Sequence, residues 1–178
     1  MKFEEMSISG VYVIKPSPVV DDRGFFARVW CQQELKDHGL VHSSVQVNAG
    51  FNTHAGTVRG LHFQRAPHEE VKIVRCIRGA VYDVIVDLRP GSPTYRKWLS
   101  RELTDENREM LYVPEGCAHG YQTLTDNSEI QYHTSEFYSP ESATGVRYND
   151  PLLSISWPRE ATMVSNQDQT WDLLAISG

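Results

Sequence analysis

The sequence lacks any uninterrupted apolar stretch of about 18 residues, the length that a membrane-spanning helix needs. Its first ten residues include Lys2, Glu4 and Glu5, where a secretory signal peptide would carry an apolar segment. Cysteine is also scarce, because the chain has 3 in 178 residues (Cys31, Cys76 and Cys117) and no CxxC pair. That pattern indicates neither a disulfide framework nor a thiolate zinc site. We therefore expect a cytoplasmic protein with reduced thiols and no membrane partner.

The chain also lacks a linker rich in glycine, serine or proline, a low-complexity tract and an internal repeat. With 178 residues it matches the usual length of one domain. We therefore predict a single domain over residues 1–178.

Positive charge is in deficit, since 17 Lys and Arg stand against 23 Asp and Glu, a formal net charge of -6. This balance disfavours a nucleic-acid-binding surface and a basic membrane-surface protein. The hydrophobic fraction of 40% with 22% charged residues is typical of globular chains. We therefore expect no nucleic-acid partner.

Short extended segments bounded by turn residues recur along the chain, which is typical of an antiparallel sandwich or barrel. Helical patterns are few: Gln32–His38 is the best early candidate, and a short helix is possible after Trp157. The predicted fold is mostly β. The candidate strands are Gly10–Ile14, Phe25–Trp30, Val41–Val47, Thr57–Phe63, Val71–Ile77, Val81–Leu88, Trp98–Leu103, Met110–Val113, Gly120–Leu124 and Glu129–Thr134.

Strand alternation in Val81–Leu88 places Asp83 and Asp87 on one face with apolar residues. Carboxylates on so apolar a strand need either solvent or specific partners.

Basic residues concentrate between Arg59 and Arg78, where five basic and two acidic residues give a local balance of +3. Two readings are open. The set can face water on an alternating strand pair, or part of it can face into the barrel and bind an anion such as a phosphate ester. The residues are Arg59, Arg65, Lys72, Arg75 and Arg78 against Glu69 and Glu70.

The segment Pro114–Gly120 reads Pro-Glu-Gly-Cys-Ala-His-Gly and resembles the second motif of the cupin superfamily, Pro-x-Gly-x-x-His. The resemblance implies a cupin-type jelly-roll β-sandwich barrel with a few short helices. Metal-binding cupins carry His-x-His in their first motif, whereas this chain has His62-Phe63-Gln64. Only His62 and His119 remain of the usual four ligands, so we predict no metal.

Six motifs in order and spacing resemble the dTDP-4-dehydrorhamnose 3,5-epimerase family, over about residues 23 to 168. That family epimerises a nucleotide-linked 4-keto-6-deoxy-hexose at C3 and C5 in deoxysugar biosynthesis. The resemblance therefore implies an isomerase that needs no metal and no organic cofactor. The motifs are Val58–Gln64, Lys72–Arg75, Asp83–Arg89, Ser92–Tyr95, Pro114–Gly120 and Asn149–Pro151.

Epimerisation beside a ketone requires a base on one face of the sugar, an acid on the other and stabilisation of the enolate between them. A histidine suits the base because imidazole has a large neutral fraction near neutral pH. The resemblance implies His62 as this base, oriented by Asp168, and Tyr132 as the acid, with Lys72 stabilising the enolate. From the residues alone, Asp168 could equally be a helix cap, Tyr132 a core residue and Lys72 a surface residue.

The resemblance also implies the binding residues. Arg59 and Arg23 would hold the diphosphate, Gln46 and Asn48 the nucleotide and His119 the sugar, and Tyr138 would stack on the base. Arg23 and Phe26 would come from the neighbouring subunit of a homodimer.

Two features complicate the resemblance. Arg59 and His62 are three residues apart and would face opposite sides of a regular strand, unless Gly60 permits a bulge. The chain also departs from the family pattern at Arg28, Ala143, Tyr148 and Gln167, so the reaction type is better supported than the nucleotide. An epimerase that inverts one centre of another sugar nucleotide, a non-catalytic nucleotide-sugar-binding cupin and a metal-dependent cupin oxygenase are the alternatives.

Overall fold

The computed structural model of the chain describes residues 1–175. The last three residues of the predicted 1–178 domain lie outside the described residues. Within residues 1–175, no helix is both long and apolar enough to cross a membrane.

Strands dominate the structure, and the two helices among the described residues are each about one turn long. The strands are β1 Lys2–Glu5, β2 Tyr12–Lys15, β3 Val19–Asp21, β4 Gly24–Phe26, β5 Gln46–Asn52, β6 Thr57–Gln64, β7 Lys72–Arg78, β8 Ala80–Asp87, β9 Trp98–Thr104, β10 Met110–Val113, β11 Cys117–Thr123, β12 Ser128–Thr134, β13 Ala143–Gly145 and β14 Met163–Val164. The helices are α1 Gln32–Asp37 and α2 Asn166–Thr170.

Two large sheets and one small hairpin organise these strands. The first sheet has the order β1-β2-β10-β7-β12-β5, and the second has the order β13-β6-β11-β8-β9 with β14 also paired to β6. Within residues 1–175, strands β3 and β4 pair only with each other. All pairs are antiparallel except β14 with β6, which is parallel. The expected jelly-roll β-sandwich is confirmed.

The main core lies between the two sheets and follows the predicted alternation of β8. Val81 and Ile85 point inward to meet Val74 and Leu111 of the first sheet. Tyr82, Val84 and Val86 point outward and are covered by apolar side chains after β13, among them Val146, Leu153, Ile155 and Trp157. Helix α1 covers the outer face of the first sheet through Leu35. Burial of these side chains supplies the main stabilisation of the fold.

At one end of the sandwich the inward positions change from apolar to polar. Tyr132 pairs with Asn48 across β12 and β5, and Thr134 pairs with Gln46. On the other side of β12, Thr134 pairs with Lys72 of β7. Because residues two apart share a face of a strand, these polar side chains converge in one interior region.

Most predicted strands are confirmed with their ends within three residues of the observed ones, but two overlap the observed strands at only two residues each. The predicted strand Val41–Val47 shares only its last two residues with β5, which continues to Asn52. The polar residues of β5 face inward while Val47 and Phe51 are about half exposed, so its apolar pattern is inverted. The predicted strand Phe25–Trp30 keeps only Phe25 and Phe26, in the β3–β4 hairpin. Sequence patterning did not predict β1, β3, β13 or β14.

Candidate active site

His62 on β6 and Asp168 on α2 form a direct hydrogen-bonded pair. The distance from His62 Nε2 to Asp168 Oδ1 is 2.5 Å. Asp168 is buried at 3% exposure, and the other ring nitrogen of His62 is not engaged by Asp168. A carboxylate bound to one imidazole nitrogen fixes the tautomer and orientation of the ring. The pairing that the family resemblance implied is therefore present in the geometry.

The C-terminal segment reaches β6 because several contacts attach it to the second sheet. Strand β14 pairs with the start of β6, and the Ser165 side chain caps α2 by accepting from the Asp168 N–H. Further along, the Asp150 carboxylate accepts from the Leu174 N–H at 2.7 Å. The interpretation of Asp168 as a helix cap is therefore wrong: Ser165 is the cap, and the Asp168 carboxylate binds His62 instead.

The pKa of the Asp168 carboxyl lies below its ordinary value. Burial alone would raise this pKa, but the hydrogen bond and charge of His62, followed by hydrogen bonds from the Gly60 N–H and Trp171, outweigh it. Asp168 is therefore an anion at neutral pH.

A bulge at Gly60 brings Arg59 and His62 to the same side of β6. His62 pairs with His119 and Arg59 pairs with Tyr121, so two residues of β6 stand opposite the single residue Gly120. Gly60 has φ +122°, and a Cβ at this position would lie 2.6 Å from the Gly120 Cα. The predicted bulge is confirmed, and only glycine fits here.

We expect Gly60→Ala to destabilise the protein by about 3 kcal/mol, because the methyl group would overlap β11 and the backbone would stay in the left-handed region. Denaturant unfolding measures this change. Gly91→Ala is the matched control, since it also has positive φ but no atom within 4 Å of the added Cβ. Equal effects of the two variants would contradict the steric argument.

Three of the predicted catalytic side chains line two adjoining cavities. His62, Lys72 and Tyr132 border both the larger cavity, of about 240 Å³, and a second of about 210 Å³. Gln46, Asn48 and Tyr138 line the larger cavity, and Arg59 and His119 line the second. Eight of the predicted site residues thus line the two cavities, and a ninth, Asp168, lies directly behind His62.

Lys72 is 8% exposed and its ammonium group has two protein partners. Its Nζ lies 3.0 Å from Glu70 Oε1 and donates to the His62 carbonyl at 3.3 Å. Lys72 is therefore not a surface lysine, and its ammonium group lies inside the site beside the backbone of His62.

Tyr132 enters the cavities from the first sheet, opposite His62 on the second. Burial raises the pKa of its phenol, and the negative charge of Glu70 raises it further. The hydroxyl is protonated at neutral pH and makes no hydrogen bond to another residue between 1 and 175. Its O–H proton is therefore available to a ligand in the cavity.

His119 pairs with the fully buried Asp83, whose two carboxylate oxygens each lie 2.9 Å from His119 Nε2. Burial raises the pKa of Asp83, although His119 and Lys72 oppose this change. Asp87 instead accepts hydrogen bonds from Arg89, Ser92 and Thr94. Both aspartates therefore have the partners that their apolar strand required.

The outer end of the larger cavity is built by the segment after β12. Gln46 Oε1 accepts from the Tyr138 N–H at 2.6 Å. The side chain of Gln64 makes hydrogen bonds with the backbone of His68, Phe137 and Ser139. Gln64 occupies the position of the second histidine in a His-x-His motif, and here it holds this segment in place instead of binding a metal. Among residues 1–175 no group of three or more His, Cys, Asp or Glu could hold a metal.

The four departures from the family pattern lie in different places. Ala143 and Gln167 line the larger cavity. Tyr148 contacts Trp157 edge-on behind the second sheet, and Arg28 forms an ion pair with Glu34 of α1. Within one chain, the first two positions are therefore the departures that border the cavity.

Arg23 and Phe26 lie on the β3–β4 hairpin and do not line either cavity. Arg23 forms an ion pair with Asp21 at 2.5 Å, and its side chain is 89% exposed. Phe26 is 77% exposed. Within one chain these two residues are separate from the site.

Glu70 and Trp171 are among the cavity-lining residues that were not predicted. Glu70 lines the larger cavity beside Lys72, and Trp171 lines it beside His62. The only signal for Glu70 was an acidic residue within a basic segment. Trp171 had no signal beyond its position three residues after Asp168.

Comparison with known proteins identifies the family. The family model described as dTDP-4-dehydrorhamnose 3,5-epimerase matches residues 5–175. The dTDP-4-dehydrorhamnose 3,5-epimerase of Sinorhizobium fredii is 44% identical over 171 residues, which cover 94% of this chain and 86% of that protein.

Two solved structures agree with this match. The Bacillus anthracis dTDP-4-dehydrorhamnose 3,5-epimerase with TDP and PPi bound superposes with a TM-score of 0.94 at 39% identity, covering 97% of this chain and 99% of that one. The Legionella pneumophila dTDP-6-deoxy-D-glucose-3,5-epimerase in complex with dTDP-4-keto-L-rhamnose gives 0.91 at 33% identity, covering 97% and 92%. The chain belongs to the dTDP-4-dehydrorhamnose 3,5-epimerase family.

Proposed function

We propose that the chain epimerises a dTDP-linked 4-keto-6-deoxy-hexose at C3 and C5, in the formation of a rhamnose-type deoxysugar. The observation that carries the proposal is the His62–Asp168 pair in a polar interior, with Tyr132 entering from the opposite sheet. The family match and the ligand of the Legionella pneumophila structure support the reaction and the substrate class.

The chemistry follows from these positions. His62 removes the proton on the carbon beside the ketone, and the electron pair of the broken C–H bond passes into an enolate whose oxygen is stabilised by Lys72. Tyr132 then donates its hydroxyl proton to the opposite face of that carbon, which inverts the centre. His62 releases its proton and Tyr132 regains one through solvent, which closes the cycle. The other carbon beside the ketone is acidic for the same reason.

The cavity also supports the proposed mode of substrate binding. Arg59 is the cation for the diphosphate, His119 contacts the sugar, and Gln46 and Asn48 contact the nucleotide. Tyr138 is 65% exposed at the outer end of the cavity, where its ring is available to stack on a base.

Incubation with dTDP-4-keto-6-deoxy-glucose in deuterated water tests the function. We expect deuterium at both C3 and C5 and an inverted product, followed by NMR. Label at one carbon would limit the activity to one centre. Substrate that raises the melting temperature without exchange would instead indicate a binding protein. The same preparation should contain no stoichiometric metal, and stoichiometric iron, nickel or manganese would contradict the metal-free mechanism.

The nucleotide requires its own comparison, because Ala143 and Gln167 line the cavity. Inhibition by dTDP and by UDP at equal concentrations measures the base preference. We expect dTDP to inhibit more strongly, since the relatives named above are dTDP-sugar enzymes.

We also propose that the protein acts as a homodimer in which Arg23 and Phe26 complete the neighbouring site. The support is the β3–β4 hairpin, which pairs with no other strand and exposes Val19, Val20 and Phe25 together with Phe26. Exposed apolar patches of this kind mark interaction surfaces.

Subunit complementation tests the dimer. We expect Arg23→Ala and His62→Asn each to be inactive, and the two mixed and reassociated to recover about a quarter of wild-type activity, because one mixed dimer site contains neither change. No recovery in mixtures that do exchange subunits would place Arg23 in its own chain's site.

We further propose that the chain functions as one domain in the cytoplasm. Cys31, Cys76 and Cys117 are all unpaired. Burial raises the pKa of Cys76 to about 11 and that of Cys117 to about 12. Unpaired thiols are usual in a reducing compartment, which supports this location.

A further inference from the structure

Trp171, just after α2, contacts both members of the His62–Asp168 pair. Its indole Nε1 donates to Asp168 Oδ1 at 3.2 Å, and Oδ1 is the same oxygen that binds His62. Its ring lies edge-on to the imidazole, with 6.2 Å between centroids and 71° between planes. The indole also lines the larger cavity.

The position of this indole is fixed from several sides. Arg147 Nε donates to the Trp171 carbonyl at 2.5 Å. A Cβ on Gly145 would lie 2.6 Å from Nε1 and Cε2 of Trp171, so glycine in β13 permits the close approach of the ring. The contacts of Leu174 with Asp150 hold the chain immediately beyond. These contacts hold the indole so that its N–H points at the Asp168 carboxylate.

The Asp168 carboxylate consequently has donors on both oxygens. Oδ1 receives His62 and Trp171, and Oδ2 receives the Gly60 N–H at 3.3 Å. A carboxylate with one histidine partner alone could rotate about its Cβ–Cγ bond. Three donors from β6 and from the chain after α2 define its plane, and hence the direction of the imidazole.

We propose that Trp171 is a positioning residue: its indole N–H holds Asp168 in the orientation that aims His62 at the substrate, while its ring walls the cavity beside the imidazole. This inference rests on the proposed function, since it assigns to His62 the role of base. Trp171 itself exchanges no proton with the substrate.

The charged and titratable groups around the pair come from several elements. Glu70 lies just before β7, and Lys72 is the first residue of that strand. Tyr132 lies on β12, and Arg59 and His119 line the second cavity together with His62. Within residues 1–175, Trp171 makes a hydrogen bond to Asp168 and a ring contact with His62, but neither kind of contact with any of these groups. A shift in the pH profile of a Trp171 variant therefore reports on the pair.

Trp171→Phe tests the proposal, because phenylalanine keeps a ring and removes only the N–H donor and part of the wall. Trp157→Phe is the matched control: it removes an indole N–H that donates to the Tyr148 carbonyl at 2.8 Å, outside the cavities. We expect kcat of Trp171→Phe to fall about tenfold with KM changed less than about twofold. The low-pH limb of its kcat/KM profile should move to higher pH by about half a unit, because the Asp168 carboxylate loses the Trp171 hydrogen bond that lowers its pKa. Trp157→Phe should change neither.

A readout that needs no turnover separates this inference from the proposed function. The imidazole N–H proton of His62, assigned as the NMR signal absent from His62→Asn, should shift in Trp171→Phe and stay in place in Trp157→Phe. A shifted signal in a protein without epimerase activity would support the positioning and overturn the function. An unshifted signal and an unchanged pH limb, beside wild-type exchange activity, would overturn the positioning alone.

Discussion

Replacing His62 by asparagine is expected to lower the rate of deuterium exchange at the substrate carbons by at least about a thousandfold. Asparagine is close to imidazole in size and can still donate to Asp168, but it cannot accept a proton at neutral pH. Lys72, Tyr132 and Arg59 remain in place, so substrate binding should persist. Exchange is measured by NMR in deuterated water, and binding by the ligand-induced rise in melting temperature.

His38→Asn is the matched control for this experiment. His38 is exposed just after α1, its ring stacks on Phe3, and it lines neither cavity. Its replacement should leave exchange at the wild-type rate. If His62→Asn folds, binds the substrate and retains more than about a tenth of the exchange rate, another group is the base.

Local patterning was sufficient for the strands whose inward face is apolar. In β8, Val81 and Ile85 alternate with outward residues, and the predicted strand differs from the observed one by one residue at each end. Strand β10 has the predicted bounds, Met110–Val113, and all four of its residues are buried. Burial of an apolar side chain dominates the choice of face, so the pattern carries the fold here.

Apolar alternation gave wrong strand bounds at the cavity and at the exposed β3–β4 hairpin. Strand β5 turns Gln46, Asn48 and Asn52 inward to line or support the polar interior, so its apolar residues face outward. The hairpin of β3 and β4 exposes valine and phenylalanine side chains that a pattern-based reading assigns to a core. In both places the residue type fits the proposed ligand site or the proposed dimer contact, which alternation alone does not describe.

The family resemblance implied many of the site residues, whereas local sequence patterns indicated neither their contacts nor the full set. His62 and Asp168 are 106 positions apart, and nothing local to either residue indicates their contact. The family resemblance implied that pairing. The contributions of Glu70 and Trp171 depend on side-chain packing between separate elements, so they became visible only in three dimensions.

Replacing Tyr132 by phenylalanine is expected to separate exchange from inversion. Without the hydroxyl, the opposite face of the enolate has no acid, so we expect inversion to fall by about a hundredfold to a thousandfold. His62 can still remove the proton and return a deuteron to the same face. Unreacted substrate should therefore gain deuterium much faster than product forms, and NMR measures both quantities in one sample.

Tyr112→Phe is the control that makes this ratio decisive. Tyr112 is buried on the outer face of the same sheet, and its hydroxyl accepts from the Val41 N–H at 3.0 Å. Loss of that bond should lower the melting temperature without changing the ratio of exchange to inversion. Tyr132→Phe should do the reverse, because its hydroxyl has no hydrogen-bond partner among residues 1–175 and the ring remains. If exchange and inversion instead fall by the same factor in Tyr132→Phe, the phenol assists enolate formation on the His62 face, and the acid for the second face must be sought among His119 and Lys72.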